Sequence, residues 1–583
     1  MKMNSNAILK IGGSIDAKQD KMVPSLFMQC HPITNAKEIK DVIFEPPSWV
    51  DRVETLKKRS ATVVKNVLSD CHSDSKHFIV RNRLDSKTVP QTLVCHDYKG
   101  GYLEDRFIYF ENESIQGDGY TFYNWAQIDY FVYFSHHFVT IPPLAWINAG
   151  HRNGVKVLGT LITEFKEGTK ICDEDIFESI PSMMDFAQDL VDLTRIFGFD
   201  GWLLNIENEV KNPKILQEFV KLFTELIHND NEENVVIWYD SVTEDGKLQW
   251  QDELNERNRC FFDRCDGIFL NYSWNEQKLI NTVENAAHRN FNVFVGIDVF
   301  GRNMFGGGKF NTFKAVEMVT RYNLSIALFA PGWTHETIDR SASGTIFDDF
   351  LTRDYAFWCS LWPYLYTHPI NDYFETDFYI GLDRAYYNLF RQRQQPSRFL
   401  YPQNSNLVAD IASIPTLINT CSCMQQKALN SRNGCFLSKE NLKLNTEFVH
   451  HLFVCELEIR GTNLTYFLTK SLTDGPSEMS VTLLTRSKSG AFRKIKLLAD
   501  FKEGTTDDQS LLEVNPKRTS LHNDNEVRVI HNKFDSLKEG DFHLSLYEFY
   551  TPPCTILEIG ATIEAGNSIH LCGFGIKRLL SSS

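Results

Sequence analysis

Phe197-Gly198-Phe199-Asp200-Gly201-Trp202-Leu203-Leu204-Asn205-Ile206-Glu207-Asn208-Glu209 is the stretch on which the reading of this chain turns. Its apolar run predicts a strand that ends by presenting a carboxamide and a carboxylate two residues apart. Side chains on a strand alternate between faces, so Asn205 and Glu207 point the same way. In a closed parallel barrel the C-terminal end of such a strand opens onto the face that carries chemistry.

The flanking sequence supplies the rest of such a barrel. Between about residues 90 and 335, short apolar runs alternate with longer helical patterns, the mark of a parallel α/β fold. Eight runs are present: Thr92 to His96, Tyr130 to Ser135, Val155 to Leu161, Gly201 to Ile206, Val235 to Tyr239, Gly267 to Asn271, Val293 to Asp298 and Ser325 to Ala330. Most are followed by room for a crossover helix, as at Glu174 to Arg195, Lys214 to Ile227, Asn275 to Ala287 and Lys314 to Arg321. Eight such units in roughly 250 residues fit a (β/α)8 TIM barrel, with an open doubly wound sheet as the competing architecture. No Gly-x-Gly-x-x-Gly opens a helix after the first strand, and Gly306-Gly307-Gly308-Lys309 lacks Walker spacing. Nucleotide binding is not expected, and no cofactor is.

A chain of 583 residues is too long for one core. The expected organisation is an N-terminal segment over 1–85, a catalytic barrel over 86–375 and one or two β-sandwich modules over 376–583. The first segment is polar and mixed, with a helical, charged patch from Trp49 to Leu68. In the last, the pattern changes to alternation, as in Glu447 to Ile459 and Phe542 to Tyr550, while Asp500 to Glu526 reads as a long polar loop.

A net charge of -15 without a basic stripe argues against nucleic acid as a partner. Met1 to Lys21 lacks the apolar core of a secretory signal, and no run approaches the ~18 apolar residues of a membrane span. A soluble, cytosolic protein without a membrane partner is expected; nothing in the sequence indicates its oligomeric state. Thirteen cysteines lie outside Cys-x-x-Cys pairs, Cys421-Ser422-Cys423 coming nearest, and Cys95 and Cys455 fall in apolar strands. They read as reduced core thiols. Of the Asn-x-Ser/Thr matches at Asn112, Asn271, Asn323 and Asn463, Asn271 follows a buried-looking run that leaves little room for a glycan.

The predicted strand ends carry a concentration of polar and aromatic groups: His96 and Asp97, His136 and His137, Glu164 with Phe165, Asn205 and Glu207, Tyr239 and Asp240, Asn271 and Trp274, Asp298, and Trp333 with His335 and Glu336. Such a set points to a polar pocket. Glu207 is the candidate general acid/base, since a carboxylate at the mouth of an apolar strand, near Trp202 in sequence and facing Tyr239, can be desolvated enough to hold a proton near neutral pH. Asn205 cannot attack an anomeric carbon as a second carboxylate does. A carboxamide can instead hold a substrate 2-acetamido group with its carbonyl oxygen near C1, so that the substrate supplies the nucleophile.

At these residues the chain resembles the cytosolic endo-β-N-acetylglucosaminidases of glycoside hydrolase family 85. The resemblance rests on Gly198 to Glu207 and on four blocks in matching order, Leu93 to Arg106, Phe131 to His137, Gly159 to Glu164 and Val293 to Arg302, with Phe329-Ala330-Pro331-Gly332-Trp333 on the eighth strand. It implies cleavage of the GlcNAc-β1,4-GlcNAc bond in the N-glycan core through an oxazoline, with transfer to a sugar acceptor as a further outcome. It also implies that Asn205 steers the acetamido group, Glu207 moves the proton and Tyr239 assists at the reacting sugar. Phe165, Trp250, Trp274 and Trp333 fall where the family places aromatics around the glycan; Asp298 and His136 complete the expected substrate-binding set. Residues 1 to about 85 and most of 376–583 show little that matches.

Two other readings compete. A two-carboxylate glycosidase would pair Glu207 with Asp298 or Glu164, and a catalytically silent barrel would only bind glycans. A metal site is weaker, because His96, His136 and His137 lack metal-ligand spacing.

Overall fold

The structure is a computed structural model that describes residues 29–66, 81–106, 120–339, 346–376, 435–438, 449–471, 479–503, 508, 510–517, 529–530, 542–563 and 568–579. Its centre is a closed barrel of eight parallel strands: β1 (Thr92–Asp97), β2 (Tyr130–Phe134), β3 (Lys156–Glu164), β4 (Gly201–Glu207), β5 (Val235–Tyr239), β6 (Gly267–Leu270), β7 (Val293–Asp298) and β8 (Ser325–Phe329). Each pairs with the next, and closure comes from β8 against β1, where Ile326 faces Thr92. All eight predicted runs are strands, with ends displaced by a few residues. The open-sheet alternative is excluded by the β8–β1 ladder.

Alternation sorts the side chains into two layers. Leu93, Cys95, Val132, Phe134, Leu158, Ile162, Leu203, Ile237, Phe269 and Phe294 form the cluster inside the barrel. Val94, Trp202, Leu204, Ile206, Val236 and Trp238 belong to the larger cluster between strands and surrounding helices. Burial on both faces explains why these strands read as continuous apolar runs.

The turn into β4 shows how the local sequence sets the barrel. The helix Ile180–Phe197 begins at Ser179, whose hydroxyl accepts from Ser182 N at 3.3 Å, and ends at Gly198 in a left-handed conformation. Asp200 then ties strands together, accepting from Val157 N at 2.8 Å and lying 2.8 Å from His151 Nε2. Gly201 has φ +136°, and a Cβ there would lie 1.9 Å from the carbonyl oxygen of Val235. Gly201→Ala is expected to lower the thermal midpoint by roughly 6–10 °C, corresponding to about 3 kcal/mol of backbone strain and collision. A melting curve unchanged from the parent would contradict it.

The described residues before the barrel include regular elements. The helix Ala36–Phe44 is capped by Asn35, which accepts from Glu38 N at 3.1 Å. The predicted helical patch from Trp49 is corrected: it is one short turn, Ser48–Arg52, then extended chain and a strand, Thr62–Lys65, while Leu68 lies outside the described residues. Trp49 is fully buried against Phe197 at 5.2 Å, which uses its ring in packing rather than on a solvated helix. Arg59 donates to the carbonyls of Trp125, Ile128 and Asn153, fastening this segment to loops that enter β2 and β3.

The predicted C-terminal strands are present in a sheet-rich region. The 22-residue strands His450–Ser471 and Phe542–Ile563 pair antiparallel through several register shifts, flanked by Met479–Ser487 and Ser568–Arg578. Bulges let strands this long bend and twist. Within the expected polar loop Asp500 to Glu526, Leu511–Val514 forms a strand parallel to Phe492–Leu497. Arg81 reaches Glu558 at 3.1 Å and Arg83 reaches Glu456 at 2.8 Å, so buried ion pairs join the segment before the barrel to this sheet. Asn112, Cys421 and Cys423 lie outside the described residues. Cys95 and Cys455 are buried.

Candidate active site

A cavity of about 250 Å³ opens at the C-terminal ends of the barrel strands. Cys95, Leu203 and Phe269 are among its apolar walls, and Asn205, Glu207, Tyr239, Asn271, Tyr272 and Asp298 bring polar groups into it. The inward register of β4 places Leu203, Asn205 and Glu207 successively up one wall. Asn205 Nδ2 lies 3.4 Å from Glu207 Oε1.

The environment favours a proton on Glu207. Burial is the main cause that raises its carboxyl above the usual range, and the nearby Glu164 adds to it; Asn205 and His136 act against them. Glu164 is the in-register partner of Glu207 on β3, and His136 Nδ1 lies 3.2 Å from Glu164 Oε2. Trp202 is not the desolvating neighbour expected from its place in sequence. It sits on the outward face of β4, its indole N–H donating to Thr194 Oγ1 at 2.7 Å, because it lies five positions from Glu207, an odd offset.

Tyr239, on the adjacent strand β5, is held from the side of β6. Its hydroxyl donates to Asn271 Oδ1 at 2.9 Å, Asn271 Nδ2 donates to Asp252 Oδ1 at 2.7 Å, and Lys278 Nζ closes the chain on Asp252 Oδ2 at 2.8 Å. Burial, foremost, raises the phenol, so it remains neutral and able to donate or accept. Asn271 is thus a working member of the wall, consistent with a sequon that has no room for a glycan.

The loop after β5 is organised by Asp240, which accepts from Asn258 Nδ2 at 2.9 Å and Asp252 N at 2.8 Å. That loop carries Trp250, which lines the cavity with 41% of its surface exposed. Opposite, Arg302 forms a bidentate pair with Asp298 at 2.8 and 3.2 Å, and its guanidinium lies 5.9 Å from the Phe329 ring centre.

Six of the predicted site residues therefore meet in one lining: Asn205, Glu207, Tyr239, Trp250, Asp298 and His136. Three aromatics fall outside it. Phe165 is 78% exposed one residue past Glu164, where φ +55° starts a short helix; Trp274 is buried, donating to Gly296 O at 2.7 Å; and Trp333 is packed beneath Phe310 and Arg353. His96, counted among the strand-end polar groups, points outward into rings that include Tyr120 and Trp146, since Leu93, Cys95 and Asp97 take the alternate positions of β1. Tyr272 and Arg302 were missed as site residues. Tyr272 had a signal, lying two residues past the end of β6; Arg302 had none, since a four-residue spacing brings side chains together on a helix and Asp298 ends a strand.

A polar cleft over the C-terminal face of a (β/α)8 barrel, with a buried acid beside a carboxamide, stands where barrel enzymes keep their chemistry. Residues 102–383 match the description Glycosyl hydrolase family 85. It is 46% identical over 300 residues to a mouse (Mus musculus) protein named cytosolic endo-beta-N-acetylglucosaminidase, covering 51% of this chain and 40% of that one. An Arabidopsis thaliana protein named cytosolic endo-beta-N-acetylglucosaminidase 1 is 38% identical over 418 residues, covering 69% of this chain and 58% of that one. The chain thus spans less than two thirds of the length of these relatives. The glycoside hydrolase domain of Endo-D from Streptococcus pneumoniae R6 superposes with a TM-score of 0.63 at 16% identity, covering 94% of this chain and 83% of that one, a likeness of fold.

Proposed function

We propose that this protein is an endo-β-N-acetylglucosaminidase that hydrolyses the GlcNAc-β1,4-GlcNAc bond in the chitobiose core of N-glycans. The observation that carries the reading is the pairing of a buried acid, Glu207, with a carboxamide, Asn205, on one wall of the cavity. Glu207 gives its proton to the bridging oxygen as the C1–O bond breaks, and the electron pair of that bond leaves with the oxygen. The substrate's acetamido carbonyl oxygen bonds to C1 and forms an oxazolinium ring. Asn205 Oδ1 accepts from the acetamido N–H, a hydrogen bond that strengthens as positive charge develops on that nitrogen. Glu207, now a carboxylate, takes a proton from water as the water oxygen attacks C1 and opens the ring. A sugar hydroxyl in place of water gives transglycosylation.

The match of residues 102–383 to that family supports this reading, and so do the names of the relatives. The reading includes a cytosolic location, in keeping with those names and with buried thiols; among the described residues no helix is long and apolar enough to cross a membrane. A high-mannose glycopeptide incubated with the protein should become a peptide carrying a single GlcNAc, seen by mass spectrometry, and Glu207→Gln should leave it intact. Cleavage at another bond would overturn the assignment.

Trp250 offers its ring face at the cavity mouth, where it suits the apolar face of a sugar. Trp250→Ala is expected to raise KM about tenfold with little change in kcat, the pattern of lost uniform binding. Steady-state kinetics on the glycopeptide checks it; a fall in kcat alone would remove Trp250 from the binding surface.

A further inference from the structure

The proposed mechanism uses one carboxylate, yet the cavity wall holds two side by side. Glu164 and Glu207 are register partners at the ends of adjacent strands, so their backbones run about 5 Å apart and both side chains enter the same cavity. A nucleophile would have to sit across the scissile bond from the acid. Glu164 stands beside the acid instead, and its carboxylate is engaged by His136 from the end of β2 at 3.2 Å.

Resting on the reading of Glu207 as the acid, we propose that Glu164 and His136 form a positioning pair for its proton. The carboxylate of Glu164 helps hold the proton on Glu207, and the His136 ring beside it limits how strongly that carboxylate is felt.

The other groups around the cavity do not duplicate this arrangement. Asp298 on β7 is neutralised by the two-point contact with Arg302. Asp97 on β1 feels both His136 and Arg302, although burial raises its carboxyl. Tyr239 and Tyr272 are buried phenols pushed well above their ordinary values, so they stay neutral. His137, next to His136, is pushed down by burial and then by His136. Glu336 interacts with Asp97 rather than with Glu207. The directions at the pair agree with the geometry: Glu164 pushes the Glu207 carboxyl up after burial does, and the hydrogen bond to Glu164 is the main cause raising His136.

The sign of the pH dependence follows. A general acid acts protonated, so kcat/KM falls as pH rises through the pKa of Glu207 in the free enzyme. Removing the charge of Glu164 lowers that pKa and moves the alkaline limb to lower pH. Removing the His136 cation leaves Glu164 uncompensated and moves the limb to higher pH.

The test is the pH profile of kcat/KM on a high-mannose glycopeptide, measured for the full chain and its Glu164→Gln, His136→Asn and double variants. Glu164→Gln should keep turnover within about tenfold of the wild type at its own optimum, with the limb displaced by about one pH unit downward, the scale of one charge a strand away. His136→Asn should displace it upward, and this displacement should shrink when Glu164 is already Gln. Limbs that stay in place would overturn the proposal. So would a folded Glu164→Gln protein inactive at every pH, which would make Glu164 a participant in bond cleavage. If Glu164→Gln does not fold, the half-exposed His136 provides the informative variant alone. The carboxyl titration of Glu207, followed by NMR in ¹³C-glutamate-labelled protein and assigned by its loss in Glu207→Gln, should also fall when Glu164 is Gln. That shift in a protein that cleaves no N-glycan would uphold the pair and reject the proposed function; an unmoved titration in an active enzyme would do the reverse.

Discussion

Glu207→Gln is expected to reduce hydrolysis of an N-glycan core by about 10²- to 10⁴-fold, the scale of general acid/base catalysis. Glutamine keeps the size of the side chain and can still hydrogen-bond Asn205, so the packing around β4 should survive. What disappears is a transferable proton. The loss should appear in kcat, since Glu207 acts on charge that develops only as the bond breaks. A purified variant with the melting curve of the parent and an unaltered kcat would remove Glu207 from the mechanism. A loss with an unchanged KM would identify it as a residue acting in the transition state.

The second large effect belongs to Asn205. Asn205→Ala should also fail on the natural glycan, by about 10²-fold or more, because a hydrogen bond aimed at developing charge is lost from a dry site. The same protein should still accept a preformed sugar oxazoline as donor, since the step that needs Asn205 most has then been bypassed. This contrast separates the substrate-assisted scheme from a two-carboxylate one. An enzyme using Glu164 or Asp298 as nucleophile would turn over substrates without a 2-acetamido group, and Asn205→Ala would cost it little. The structure engages both rivals: Glu164 with His136 and Asp298 with Arg302. Normal hydrolysis by Asn205→Ala would end the substrate-assisted reading.

The residues of the proposed reaction are few, and the wall that holds them is built from several strands. Tyr239 is aimed through Asn271 and Asp252 to Lys278, a relay that begins on β5 and ends on the helix Glu276–Ala286. The Trp250 loop hangs on the Asp240 carboxylate, which burial raises to about 6. Such supporting groups act through others, so their substitution should degrade geometry more than it removes a chemical step.

The eight strands were legible because each is a short apolar run bounded by polar or helical sequence, and burial on both faces makes that pattern insensitive to register. The juxtaposition of Asn205 and Glu207 was legible for a related reason: a separation of two residues fixes a shared face within any strand. The C-terminal alternation also yielded strands near their predicted places. Failures arose where a local pattern is compatible with more than one environment. Trp49 and its charged neighbours look like a solvated helix until the helix Ile180–Phe197 is present to bury the ring. Trp274 and Trp333 look like sugar platforms until neighbouring loops pack over them, and His96 looks like a pocket residue until the barrel's inside is assigned to Cys95 and Asp97.

By itself, then, the sequence determined the barrel, the wall on which the acid stands and the spacing of the acid and amide, because those depend on periodicity and on neighbours within one strand. Tertiary structure alone decided that Glu164 lies beside Glu207, that His136 engages it and which aromatics face the cavity. These relations join strands and loops tens of residues apart in the chain, and they exist only once closure of the sheet has fixed the strand register and the depth of each side chain.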